Sequence, residues 1–267
     1  MKSSQDHDIT EVVGKLPYRL ALAGGWIDQP FLSQLNPSPP GAMVTIQVEP
    51  TFRFMDRSGI CGSTRQIALK LWPDGVPTDQ DRMALVRELY RAENEGLTEP
   101  SGSQDMIGLI YPGINRLDYD FTVEGGYFPA HIETNTDPVV ADWLSSILYV
   151  LPVAPRPDGY NPLGRKNFDP AWVERLGQSG KTCFDAIVQR DLNQLGASFN
   201  ECMLCWDTLL PDVLEHPTLR VDLKALLDFY QSRYPGAMYS GCGGGYLLVV
   251  SAEAVPGAFQ IQVKVTS

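Results

Sequence analysis

Apolar and polar positions along the chain fall into short, separate runs. PYRLALAG (17–24) alternates, turns apolar and stops at Gly24-Gly25, which predicts a strand feeding a tight turn. MVTIQVEP (43–50) is a strong β-run, and TFRFMD (51–56) continues the alternation. SGICGSTR (58–65) is a small-residue loop, and QIALKLW (66–72) reads equally as a helix start or another strand. Met83, Val86, Leu89 and Tyr90 recur at helical spacing, predicting a helix over about 79–95. MIGLIYPG (106–113) and RLDYDFTV (116–123) read as strands or a strand pair. WLSSILYVLPV (143–153) contains a buried strand, followed by the Pro/Gly-rich loop APRPDGYNPLGRKNFDP. A helix is expected over 170–176, one long helix or two over 181–210, and another over 218–233. SGCGGGYLLVV (240–250) is a glycine loop running into an apolar strand, and FQIQVKV (259–265) alternates as a closing strand. The plan is α+β, with two halves meeting near 140–145: one domain at 1–142 and a second at 143–267.

Charge and cysteine usage narrow the function classes. Lys plus Arg number 21 and Asp plus Glu 32, a net charge of −11, which disfavours a protein that coats nucleic acid. A small anionic ligand needs only local N–H groups and a few cations, so it stays open. No run reaches the ~18 apolar residues of a spanning helix. The polar start MKSSQDHDIT lacks the apolar stretch of a signal peptide, so neither a membrane nor export is expected and the cytoplasm is the default. The five cysteines form no compact secreted-domain pattern and are read as reduced. Cys202 and Cys205 form a CxxC inside the helical run NECMLCWDTLL, where a spacing of three means a shared buried face. No second CxxC and no nearby His completes a zinc set.

Four places have the composition of a site. The loop 240–245 has four glycines in six residues, more than a turn needs, and glycine lets backbone approach a ligand closely. GICGSTR offers N–H groups, the hydroxyls of Ser63 and Thr64, and an arginine; a helix starting at Ser63 would make an anion site, while a hairpin would make it a plain turn. In GSQD (102–105) the carboxylate reads singly as a helix cap, Asp28 in GGWIDQP has the same ambiguity, and Glu93 alone is a solvated carboxylate. GKT occurs once (180–182), but Arg175 stands where the full GxxxxGK[ST] motif needs its first glycine; there is no GxSxG, and His7, His131 and His216 have no evident partners, which disfavours P-loop NTPases and serine hydrolases.

Taken in order, these segments resemble the GHMP small-molecule kinases: galactokinase, homoserine, mevalonate and phosphomevalonate kinases. RLALAGGWID (19–28) resembles the family's first motif, in the flavour of the heptose-kinase-like sugar kinases. SGICGSTR looks like a shortened phosphate loop, AENEGLTEPSGSQD like the segment from the metal-binding Glu to the catalytic Asp, and SGCGGGYLLVV like the third, glycine-rich motif. The resemblance spans about residues 15–250. It implies a ribosomal-protein-S5-like N-terminal α+β domain, a ferredoxin-like C-terminal domain, ATP and Mg²⁺ as cofactors, and a sugar or polyol as substrate, with a homodimer left open. By resemblance, Asp105 polarises or deprotonates the acceptor hydroxyl and Arg19 stabilises charge. Asp28, Gly24, Gly25, Trp26, Gln104, Gly243 and Gly244 line the acceptor side, with Gly241 shaping the same site. Gly59, Gly62, Ser63 and Thr64 take ATP, while Glu93 and Ser63 (or Thr64) hold Mg²⁺. Two departures stand out: Asp28 is only about thirty residues before the phosphate loop, and Cys61 replaces a glycine in it. A metabolite-binding protein that has lost ATP use, or a family member using ATP for another reaction such as decarboxylation, are the rivals. A helix over 63–72 favours the kinase; a strand paired with TFRFMD favours the binding protein.

Overall fold

The computed structural model of the chain describes residues 13–60, 62–97 and 100–266. Cys61 and the segment 1–12, with His7, lie outside the described residues. Four strands, β1 (Tyr18–Ala21), β2 (Gly41–Val48), β3 (Ile114–Tyr119) and β4 (His131–Asn135), form one antiparallel sheet in chain order. All eight positions of β2 are buried, which explains why its sequence is a nearly continuous apolar run. A four-residue helix, α1 (Pro30–Ser33), sits between β1 and β2.

Three helices connect β2 to β3: α2 (Gly62–Leu71), α3 (Arg82–Asn94) and α4 (Gln104–Ile110). QIALKLW is therefore helical, and α2 starts inside SGICGSTR. Asp81 caps α3, its carboxylate accepting from Ala84 N at 2.8 Å. MIGLIYPG, read as a strand, is instead the body of α4 followed by a turn at Tyr111–Gly113. Met106 through Ile110 are all buried, so the helix is apolar on every side and leaves no amphipathic stripe to read. TFRFMD is not a strand either. Phe52 and Phe54 turn into an aromatic cluster with Tyr18, Tyr246 and Phe259, with ring centroids 4.7–5.4 Å apart for the closest pairs.

The second sheet joins β5 (Leu148–Ala154), β6 (Gly236–Tyr239), β7 (Gly245–Val250) and β8 (Phe259–Gln260) in the antiparallel order β6-β7-β5-β8. Its helices are α5 (Pro138–Ile147), α6 (Pro170–Gln189), α7 (Leu192–Leu209) and α8 (Leu223–Gln231). The division expected at 142–143 falls inside α5, because Trp143 lies on this helix and not on the following strand. The helix expected over 170–176 runs unbroken to Gln189 and is separated from α7 by Arg190 in the left-handed region (φ 58°). FQIQVKV is a strand only at Phe259–Gln260. Beyond it, Val263 bridges to Val48, Glu49 N donates to Gln262 O (2.9 Å) and Lys264 N donates to Gln47 O (2.8 Å), so this segment returns to the first sheet.

The helix α7 also grips the β1–β2 turn. Cys202 Sγ accepts from Gly24 N (3.3 Å), and Trp206 Nε1 donates to Gly25 O (3.0 Å). Cys202 and Cys205 are both fully buried thiols on one helix. Among the described residues no helix is long and apolar enough to cross a membrane.

Candidate active site

A cleft of about 650 Å³ opens where the β1–β2 turn, the start of α2, the start of α4 and the loop 240–242 converge. Its walls carry Arg19, Asp28, Gly62, Ser63, Asp105 and Gly241, which come from four distant stretches of sequence. Arg19 points inward from β1, and Asp105 stands on the first turn of α4. Arg19 Nη2 and Asp105 Oδ1 form an ion pair, with Arg19 almost wholly buried and the Asp105 side chain 21% exposed. Asp105 is therefore not a cap. The pairing depends on Gly108, one turn further along α4, because a Cβ there would strike Arg19 Cγ. Sequence reading missed Gly108 for want of the helix; once the helix is known, its i,i+3 spacing from Asp105 places it under Arg19.

Asp28 is 3% exposed, and burial pushes its carboxyl up to about 6 against the pull of backbone amides, the Gln29 side chain and the Arg19 charge. Gln29 Nε2 donates to Asp28 Oδ2 at 3.4 Å. Gly102 lies flush against this carboxylate, so GSQD contributes its glycine as well as its aspartate to the site. Gln104 lines the cleft, and its Oε1 is buried without a hydrogen bond. Trp26 also lines it, held in the left-handed region at φ 82°, a costly backbone for a bulky residue.

The α2 N-terminus presents Gly62 and Ser63 to the cleft with no acidic residue in its first turn, leaving the positive end of the helix dipole for an anion. Thr64 is fully buried behind them. Burial raises the Glu93 pKa, while the hydroxyls of Thr64 and Ser63 and the Arg19 charge lower it. Neither Glu93 Oε2 nor Thr64 Oγ1 completes a hydrogen bond, although both atoms are buried. One carboxylate beside hydroxyls at a helix N-terminus is a donor set that suits Mg²⁺, which takes few protein oxygens and fills its shell with phosphate and water. Among the described residues there is no cluster of three metal-ligating side chains.

Several expected contributors lie elsewhere. Gly24 does not line the cleft: at φ 89° it lets the turn press on β2, where a Cβ would strike Ala42 O. Gly25 does line it. Gly243 and Gly244 do not line the cleft but pack on Tyr160 and Ala154, and Ser240, Gly241 and Cys242 take the lining role. Arg165 is occupied by Asp212 and by Glu215 O (2.5 Å), and Lys166 Nζ stands 5.9 Å from the centroid of the Phe31 ring. Arg156 alone of the three loop cations lines the cleft, with its Nε donating to Cys242 O at 2.7 Å.

The two glycine loops touch backbone to backbone. Ser240 Oγ donates to Ser58 O (2.8 Å), and a Cβ on Gly59 would come within 2.7 Å of Gly241 Cα. Gly59 also has φ 78°. Gly59→Ala is expected to cost about 1–3 kcal/mol, strain and collision combined. Gly75→Ala, at φ 117° with open space around it, isolates the strain alone. Denaturant unfolding of both variants measures the difference, and equal losses would mean that the loops are not in contact.

No protein-family model matches the chain, and no curated protein matches it. Solved structures do match. A D-glycero-D-manno-heptose 1-phosphate kinase from Bacteroides thetaiotaomicron aligns over 93% of this chain and 96% of its own, with TM-score 0.55 and 11% identity. Lactococcus lactis galactokinase, complexed with galactose, aligns over 96% of each chain with TM-score 0.56 and 12% identity. The mevalonate kinase of Methanococcus jannaschii aligns over 89% of each, with TM-score 0.52 and 10% identity. The chain has the α+β, two-sheet fold of the GHMP small-molecule kinases.

Proposed function

We propose that the protein is an ATP-dependent kinase that phosphorylates a hydroxyl of a sugar or polyol. The observation that supports this most is that one cleft holds both the open N-terminus of α2, with Ser63, and the Arg19–Asp105 pair. A phosphate site and a carboxylate facing the same space are the minimum for phosphoryl transfer, which depends mostly on positioning and electrostatics. A structural neighbour that binds galactose gives the sugar reading its support.

In this mechanism the acceptor is held at Asp28, whose carboxylate accepts from its hydroxyls, while Trp26 covers apolar C–H groups. The reacting hydroxyl approaches Asp105, which orients it and takes its proton as the oxygen bonds to the γ-phosphorus and the bond to the leaving ADP oxygen breaks. Arg19 fixes Asp105 in the ground state and faces the charge that develops on the transferred group. Gly62 and Ser63 hold phosphate oxygens on backbone N–H groups. Glu93 and Ser63 would hold Mg²⁺, which neutralises phosphate charge when bound.

The test is a panel of sugars and polyols with ATP and Mg²⁺, read by ADP release, alongside calorimetry with the same compounds. Turnover with one acceptor class supports the kinase. Sugar binding without any nucleotide binding would replace it with a metabolite-binding protein. That outcome has its own rationale in the shortened stretch between Asp28 and the phosphate loop.

A further inference from the structure

A second cavity, of about 780 Å³, lies on the far side of the glycine loop from the acceptor cleft. Its walls are largely apolar: Pro155 and Pro157 from the loop after β5, Leu219, Val221 and Leu223 before and at the start of α8, and the Gly243–Gly244 backbone. Arg220 adds a cation and Asp158 a carboxylate to the walls. Asp56, Arg57 and Arg156 line this cavity and the cleft alike, so they form the partition between the two.

That partition is held by one backbone hydrogen bond and by the Arg57 side chain. Arg156 N donates to Arg57 O (3.0 Å), Arg57 Nη2 donates to Pro157 O (2.7 Å), and Arg57 also pairs with Asp158. The segment leading into the phosphate loop is therefore stitched to a loop of the second half. On the opposite side of the phosphate loop the described residues leave less room. Phe52 and Phe54 fill it with the aromatic cluster, and the hollow left between Phe54, Ile60 and Leu69 is only about 190 Å³. A drug-sized ligand takes a cavity of roughly 300–1,000 Å³. Among the described residues two hollows flank the phosphate loop, and of these the larger one has the room for a nucleoside.

On the reading that the cleft transfers phosphate from a nucleotide, we propose that the nucleoside of this donor lies in the second cavity, between residues 154–158 and 218–223. Its phosphates then cross Arg57 and Arg156 to reach Gly62 and Ser63. Apolar walls suit a base, and the Arg57 and Arg156 side chains, with Asp56 and Asp158 beside them, offer hydrogen-bond donors to a polyphosphate that passes them. The base site is thus built from loops of the second half, in a chain with only about thirty residues between Asp28 and the phosphate loop.

Calorimetry with Mg²⁺–tripolyphosphate and Mg²⁺–ATP separates the phosphate site from the base site. The wild-type protein is expected to bind ATP at least tenfold more tightly than tripolyphosphate. Val221→Trp fills the cavity from a partly exposed position and is expected to remove that advantage while leaving tripolyphosphate affinity and the thermal midpoint unchanged. Photolabelling with 8-azido-ATP needs no substitution, and the label is expected on residues 154–158 or 218–223. Label confined to residues 52–56 or 65–69, or an ATP advantage that survives Val221→Trp, overturns the placement. ATP binding no tighter than tripolyphosphate also overturns it, while leaving the kinase reading standing. Failure of both ligands to bind removes the kinase reading and the placement together.

Discussion

Asp105→Asn is expected to lower turnover by ~10²–10⁴-fold, the range for removing a positioned general base. The amide keeps the shape and can still meet an acceptor hydroxyl, so KM for the acceptor should change little. Stability should fall as well, because Arg19 is buried and loses its partner. The loss should be about 1–3 kcal/mol, below the full cost of breaking a buried pair, because Asp28 also faces the Arg19 charge and the cleft admits water. Steady-state ADP release and denaturant unfolding read the two effects separately. A variant with near-wild-type turnover would show that Asp105 only anchors Arg19.

Asp28→Asn is expected to do the reverse to stability. The folded Asp28 carboxyl titrates at about 6, whereas its ordinary value is 3.8. Between those pH values the folded protein retains a proton that the unfolded chain has released, so stability falls as pH rises through this window and is level above it. The burden at neutral pH is on the order of 2–3 kcal/mol, and the uncharged variant should be more stable by up to that amount at pH 7 and equal to wild type below pH 4. Function should pay for it: KM for the sugar or polyol should rise about 10-fold or more, the cost of losing a charged hydrogen-bond acceptor, with little change for ATP. Unfolding at pH 4 and pH 7 together with two-substrate kinetics checks both halves. Destabilisation at pH 7, or equal KM losses for both substrates, would assign Asp28 to structure.

What was legible in the sequence was whatever repeats along one face or breaks with glycine. β2 and α3 came out of periodicity, and the order Arg19, Asp28, Ser63, Glu93, Asp105 came out of resemblance to one family. What failed had a physical cause each time. The helix α4 is seven residues long and buried all round, so its pattern matches a buried strand. TFRFMD alternates because Phe52 and Phe54 feed one aromatic cluster, not because the backbone is paired. The glycine loop was found, but which of its glycines face the cleft depends on where Ser58 and Tyr160 sit, and both are far away in sequence. The partner of Arg165, Asp212, is 47 positions on, where no local pattern shows it. Gly108 and Gly102 were invisible for a related reason: each matters through the side chain it leaves room for.

The return of residues 262–264 to β2 sets the order in which this chain can mature. Val48 waits for Val263, and Gln47 for Lys264. During synthesis the first sheet must hold the end of β2 unpaired on that side while almost the whole remaining sequence is made. Such a strand edge is the kind that recruits foreign strands, and a contact of this sequence separation closes slowly. The first sheet is therefore completed by residues 262–264, so its last hydrogen bonds come from beyond the second sheet in the chain.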